Sequence, residues 1–347
     1  MVDAASPVRL RLDSNALVDN WQTLARLSGE AATGAAVKAD GYGLGARDVV
    51  SRLSKAGCQE FFVAHWAEAA AIADIVPASQ ISVLNGVTDS DVAFAKNLGA
   101  IPVLNTPEQI VRWKAGKGGR CHVMLDSGIN RLGIGPDQLD ATLFDGLDLD
   151  ILMSHLASAD EEAPQNELQL GQFTEMARGI AAKRRSLANS AGIIFGPDYH
   201  FDLTRPGLSL YGGIARPEMA DVIKPVVSIS TKVLQVRMLR AGDAVGYNAT
   251  FICPTDMRVA TLAIGYADGY LRGFSNKGVA IYGDKGLPLI GRVSMDMVIV
   301  DASQAPNLQE GDWTDVAFGL LSAAEQSGLS QYELLTALGG RYERIWC

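Results

Sequence analysis

The 347-residue chain is 48% apolar and 20% charged, with a formal net charge of −9. That balance belongs to a globular protein. No basic cluster exceeds Lys183-Arg184-Arg185, which argues against nucleic acid or an anionic membrane as the main partner. At ~150 residues per domain the length allows two.

Met1-Val2-Asp3-Ala4-Ala5-Ser6-Pro7 has neither a positive start nor an apolar core, so no secretory leader is expected. No apolar run approaches the ~20 residues that span a bilayer. Cys58, Cys121, Cys253 and Cys347 show no C-x-x-C spacing. His65, His122, His155 and His200 show no metal-ligand spacing. No metal site is expected, and the cytoplasm is the default compartment.

Val8-Arg9-Leu10-Arg11-Leu12 alternates with period two and predicts a half-buried strand. Asp13, Ser14 or Asn15 can cap a helix whose apolar face is Leu17, Trp21, Leu24 and Leu27. Strands are then predicted near Thr33–Val37, Phe61–Ala64, Ile81–Leu84, Ile101–Leu104, Cys121–Leu125, Ile151–Ser154, Ser186–Asn189 and His200–Thr204. Helical stretches separate most of them. One has a marked start at Thr106-Pro107-Glu108-Gln109, with a cap and a proline in the first turn.

Eight strands alternating with helices predict a TIM (β/α)8 barrel over residues 1–217. A doubly wound sheet is the alternative, but no G-x-G-x-x-G follows the first strand. Beyond Pro217 the texture changes. Val226–Leu239, Arg258–Ile264, Val279–Tyr282, Met297–Val300 and Trp313–Phe318 read as strands. Residues 218–347 are therefore predicted as a mainly β domain ending in one helix, Ser330–Leu338. The strand Val8–Leu12 is a candidate to pack with that domain.

The first barrel strand delivers Lys38 into Ala39-Asp40-Gly41-Tyr42-Gly43-Leu44-Gly45. A lysine at the end of a buried strand sits in low dielectric, which lowers an amine's pKa and suits imine formation with a carbonyl cofactor. The competing reading is an ordinary turn with a solvated lysine. The other strand ends favour the first. Arg131 follows strand five, His155 closes strand six, Asn189-Ser190-Ala191-Gly192 follows strand seven and Arg205-Pro206-Gly207-Leu208 follows strand eight. In a barrel these share one rim, where chemistry gathers.

Together these segments resemble the alanine racemases, pyridoxal-phosphate enzymes with an N-terminal TIM barrel and a C-terminal β domain. The resemblance rests on Ala36-Val37-Lys38-Ala39-Asp40-Gly41-Tyr42-Gly43, Asp126-Ser127-Gly128-Ile129-Asn130-Arg131-Leu132-Gly133 and Ser154-His155-Leu156-Ala157-Ser158-Ala159-Asp160. It continues through Arg205-Pro206-Gly207-Leu208-Ser209-Leu210-Tyr211-Gly212, Val245-Gly246-Tyr247-Asn248, Ile264-Gly265-Tyr266-Ala267-Asp268-Gly269 and Gly291-Arg292-Val293-Ser294-Met295-Asp296.

The resemblance implies interconversion of L- and D-alanine, a cell-wall precursor, in a homodimer. Lys38 would hold pyridoxal phosphate and act as one base, and Tyr247 of the other subunit as the second. His155 and Arg205 would stand behind that chemistry, with Arg205 facing the pyridine nitrogen. Tyr42, Ser190, Gly207 and Leu208 would hold the phosphate, while Arg131, Tyr266 and Met295 would bind substrate. Asp160-Glu161-Glu162 reads as a solvated cluster. A racemase of another small amino acid such as serine, a related decarboxylase and a non-catalytic cofactor carrier are the other readings. Two departures stand out. Met124 occupies the position where many relatives carry a carbamylated lysine, and Gly340 stands where some carry a phosphate-binding tyrosine, with Tyr342 two residues on.

Overall fold

The computed structural model describes residues 5–347; residues 1–4 of the stretch read for a leader lie outside them. The chain divides into two compact units, Leu17–Lys224, and the residues up to Ala16 together with Pro225–Cys347.

The first unit is a parallel barrel. Its strand order follows the sequence: β3 (Ala35–Ala36), β4 (Phe61–Val63), β5 (Ile81–Val83), β6 (Ile101–Leu104), β7 (Cys121–Met124), β8 (Leu149–Met153) and β9 (Arg184–Ser186). Closure comes from β2 (Ala32–Thr33), which runs into β3 through Gly34 and pairs with β10 (Leu203–Thr204). The amide of Asp202 donates to Arg185 O at 3.0 Å and that of Arg205 to Ala188 O at 2.9 Å, joining β10 to the chain of β9. Every residue of β4 to β8 is buried, as parallel strands covered on both faces require. Phe62, Val103, Met124, Ile151, Met153 and Leu203 pack inside.

Two strands depart most from their predicted ranges. β9 ends at Ser186, where Ser186 Oγ donates to Leu203 O; three residues on, Asn189 Oδ1 accepts from Gly192 and turns the chain. His200 closes a short helix, Pro197–His200, and Phe201 at φ 51° breaks the backbone before β10. Thr106 caps the helix Pro107–Ala115 as expected, its side chain accepting from Gln109 N–H.

In the second unit β1 (Val8–Leu12) lies between β11 (Val227–Leu239), its antiparallel partner, and β19 (Glu343–Trp346), which runs parallel to it. β11 is long enough to serve two sets of neighbours. Its first half pairs with β1 and with β18 (Trp313–Val316); a register shift between Val233 and Gln235 then turns its second half to β14 (Met257–Leu262). β17 (Val298–Asp301), β16 (Lys285–Ile290) and β15 (Val279–Tyr282) carry the sheet from β14 back to β18. β12 (Ala244–Val245) and β13 (Phe251–Ile252) form a separate ribbon.

Two helices are present where one was expected, Leu320–Ser327 and Gln331–Thr336. The first is bounded by Gly319 and by Gly328 in the left-handed region, a stop signal legible in sequence. No helix among the described residues is long and apolar enough to cross a membrane, and no cluster of potential metal ligands occurs among them.

Candidate active site

Lys38 follows β3 and opens a turn of unusual hand. Ala39, Asp40, Gly41 and Tyr42 have φ of 53°, 53°, 63° and 55°. Left-handed backbone costs on the order of 1–2 kcal/mol for each non-glycine residue, so local contacts must hold it. Gly41 N–H donates to Val37 O at 2.9 Å, and Asp40 Oδ1 accepts from Ala46 N–H at 2.8 Å. Tyr42 stacks on Tyr211 with ring centroids 4.7 Å apart, and Tyr211 Oη donates to Ala36 O at 2.8 Å.

The Lys38 amine lies below its ordinary pKa. Burial is the main cause, and Arg131 and Arg205 push the same way against Glu68. His155, after β8, is driven to about 3 by burial and then by Arg205, Arg131 and Lys38. Those mutual influences place Lys38, Arg131, His155 and Arg205 in one electrostatic neighbourhood on the carboxyl-end rim.

Arg205 is 7% exposed. Its guanidinium donates to Ser186 Oγ and Ser154 O, both neutral, and burial lowers its pKa to about 10. Ser154 Oγ in turn lies 2.7 Å from Ser127 Oγ. A buried guanidinium with neutral partners keeps its charge available to a further group.

Arg131 is exposed, on a loop organised by Asp126. One oxygen of that carboxylate accepts from the amides of Gly128, Ile129 and Asn130 at 2.9–3.0 Å, the other from Arg131 N–H at 2.9 Å. The loop then folds back on its own strand. A Cβ on Gly133 would lie 2.7 Å from Asp126 N and 3.1 Å from Met124 Cγ, so only glycine fits. Met124 belongs to the barrel core. Sequence reading missed Asp126 as the organiser, since its partners are backbone amides.

Tyr42, Ser190 and Gly207 gather at one point. A Cβ on Gly207 would sit 2.3 Å from Tyr42 Oη, so the missing side chain lets a hydroxyl, a backbone amide and a ligand oxygen approach one another. Ser190 Oγ accepts from Gly207 N–H at 2.9 Å and from Ser209 N–H at 3.3 Å, and keeps its own proton to donate. Leu208, buried, opens the short helix Leu208–Tyr211. The cluster fits an anion: the Tyr42 and Ser190 hydroxyls and the Leu208 amide can donate to it, the Gly207 amide orients Ser190, and none is a carboxylate.

The remaining candidates lie in the second unit. Tyr247 is 65% exposed, beside Asn248 and Ala249 in the left-handed region. Tyr266 N–H donates to Ser294 O and Ala267 N–H to Met295 O, which brings Tyr266 and Met295 onto adjoining loops. Arg272 lies over the Tyr266 ring at 5.2 Å. Met295 is exposed. Tyr342 is buried, with its hydroxyl unpartnered. Asp160, Glu161 and Glu162 are exposed, as the solvated reading expects, with buried Arg216 donating to the neighbouring Ala159 O at 3.1 Å and pairing with Glu162.

Comparison with known proteins places these features in a family. The alanine racemase N-terminal domain matches residues 12–215 and the alanine racemase C-terminal domain residues 226–346. An alanine racemase of Jannaschia sp. is 42% identical over 96% of this chain and 97% of its own length. A catabolic alanine racemase of Agrobacterium fabrum is 41% identical over 97% of the chain and 91% of its own. The crystal structure of Bartonella henselae alanine racemase, with covalently bound pyridoxal phosphate, superposes with a TM-score of 0.93 at 34% identity, covering 99% of this chain and all of that one. The chain belongs to the alanine racemase family.

Proposed function

We propose that this protein interconverts L- and D-alanine with pyridoxal phosphate, using Lys38 and Tyr247 of a second copy as bases on opposite faces of Cα. The observation that carries the reading is the convergence on one rim of a lysine with a lowered pKa, two arginines and a histidine held neutral.

Bound pyridoxal phosphate withdraws electrons from Cα and acidifies its hydrogen. The chain supplies the rest. Lys38, with its amine below the ordinary value, is suited to covalent attachment and to taking or returning a proton on one face. A single base cannot easily serve both faces, so inversion requires a second. Tyr247, exposed on the second unit, takes that role for the neighbouring subunit, and we infer a homodimer on that basis.

Arg205 would face the ring nitrogen of the bound cofactor. A guanidinium only donates, so it would not stabilise a proton on that nitrogen, and this would favour proton return to Cα over return elsewhere. Tyr42, Ser190 and Leu208 would hold the phosphate, with Gly207 giving it room and its amide orienting Ser190. Arg131 binds the substrate carboxylate, and Tyr266 with Met295 narrows the approach so that a small side chain is preferred. Four free cysteines, three of them buried, support a reducing compartment such as the cytoplasm, where the reaction would supply D-alanine for the cell wall.

The test is chiral analysis of L-alanine incubated with the purified protein and pyridoxal phosphate, beside Lys38→Ala. D-alanine appears only with Lys38 present. A cofactor-loaded protein that forms none overturns the reaction.

A further inference from the structure

Between β3 and β4 the parallel ladder climbs in steps of two. Ala35 N–H donates to Glu60 O and Val37 N–H to Phe62 O, each at 2.8 Å. Continued, the ladder would join Ala39 N–H to Ala64 O and Ala64 N–H to Val37 O. Neither rung forms. Val37 O accepts from Gly41 N–H at 2.9 Å and Ala64 O from Asn85 N–H at 3.0 Å. Both orphaned amides meet one carboxylate instead. Glu68 Oε1 accepts from Ala39 N–H and Oε2 from Ala64 N–H, each at 2.7 Å.

Glu68 lies in the first turn of the helix Trp66–Ile72. It is partly buried, with His65 Nε2 at 3.8 Å. Its charge also acts on Lys38, against Arg131 and Arg205. Aspartate is one methylene shorter. Glutamine offers a single acceptor and would turn an NH2 toward an N–H.

We propose that Glu68 is a positioning residue for Lys38: its two oxygens replace the missing rungs, hold the fork between β3 and β4, and fix the left-handed turn that aims the lysine. The proposal rests on Lys38 being the cofactor lysine. The clamp explains how three non-glycine residues stay left-handed just past a strand, and why the carboxylate that acts on the lysine is tied to backbone.

The experiment compares holoenzymes of the wild type, Glu68→Gln and Glu68→Asp. Three quantities are read: hydrogen exchange at the Ala39 and Ala64 amides, the rate at which hydroxylamine strips the cofactor, and the pH profile of kcat. Glu68→Gln raises exchange at one or both amides roughly tenfold or more, the worth of a charge-assisted hydrogen bond. Exchange at Val103, in a distant strand, stays as it was. Stripping quickens, and kcat falls more than KM changes. The Lys38 limb of the profile moves to lower pH, because a neutral amide no longer favours the ammonium.

Glu68→Asp keeps that limb near its wild-type position while exchange rises, which separates charge from reach. It also carries the exchange measurement if the glutamine variant does not fold. Unchanged exchange at both amides, with an unmoved limb, overturns the proposal. The Lys38 reading is checked apart from it. Borohydride fixes the cofactor to whichever lysine holds it, and a label mapped to another lysine sinks that assignment without touching the exchange result.

Discussion

The two ends of the barrel hold charge in opposite ways. At the amino ends of the strands, Asp150 lies between Arg120 and Arg184, and Arg184 reaches Glu60 at 2.6 Å. At the carboxyl ends, Lys38, Arg131, Arg205 and His155 crowd together, with Glu68 at their edge bound to backbone. Each end contains a histidine pushed to about 3, chiefly by burial, but the second causes differ. His122, at the closed end, has Asp150 opposing the shift, whereas the other groups acting on His155 are cations. Charge matched by charge contributes stability and offers no chemistry. Charge left unmatched depresses the pKa of an amine and an imidazole, which is what a site handling protons and an anionic cofactor requires.

Four perturbations break or sharpen this contrast. Lys38→Ala, at the open end, lowers racemisation by about 100- to 10,000-fold, the worth of a positioned acid–base group, while the melting temperature holds. Steady-state kinetics beside calorimetry reads both. Asp150→Ala, at the closed end, does the reverse. It leaves Arg120 and Arg184 facing each other and costs about 3–5 kcal/mol in denaturant unfolding, with kcat of the folded fraction unchanged.

A smaller effect follows from Asp126→Asn, which leaves one acceptor where four amides converge. The Arg131 loop loosens, and KM for alanine rises about tenfold with little change in kcat. A variant with wild-type KM would remove Asp126 from the positioning of Arg131.

A further effect lies in the pH dependence of stability. His122 and His155 have folded values below the ordinary 6.5. The unfolded chain therefore binds protons first, and stability falls as pH drops from 6.5 toward 3. For Asp150, burial raises the carboxyl but hydrogen bonds from Arg184 and Arg120 outweigh it and hold it at about 2. Its contribution is present above the ordinary 3.8 and is lost as pH falls through 2. Calorimetry between pH 7 and pH 4 on His122→Gln should show a flatter decline than the wild type.

The open end was legible in the sequence because its residues follow buried strands directly. Lys38, His155 and Arg205 each stand one or two residues past an apolar run, and barrel topology alone assigns such positions to one rim. Glu68 and Asp126 were not legible, since they bind backbone amides, which carry no residue identity. The closed end stayed hidden for another reason: Arg184 and Glu60 are 124 residues apart, and no local pattern joins them. Among the strands, β19 escaped because Glu343 and Arg344 interrupt its apolar character at a sheet edge. β16 escaped behind its turn, since Tyr282-Gly283-Asp284-Lys285-Gly286 marked where the chain reverses but not that a strand begins at Lys285.

The position of β1 has a consequence for synthesis. This strand is made before the barrel, yet it pairs with β11 and with β19, and the Arg9–Glu343 ion pair spans 334 residues. At roughly 5–20 residues per second, β1 waits on the order of half a minute for its last neighbour. The whole barrel of Leu17–Lys224 is translated in that interval. The nascent chain therefore carries an unsatisfied strand edge while the barrel is made, and the positive charges of Arg9 and Arg11 at alternate positions keep that edge soluble until β19 arrives.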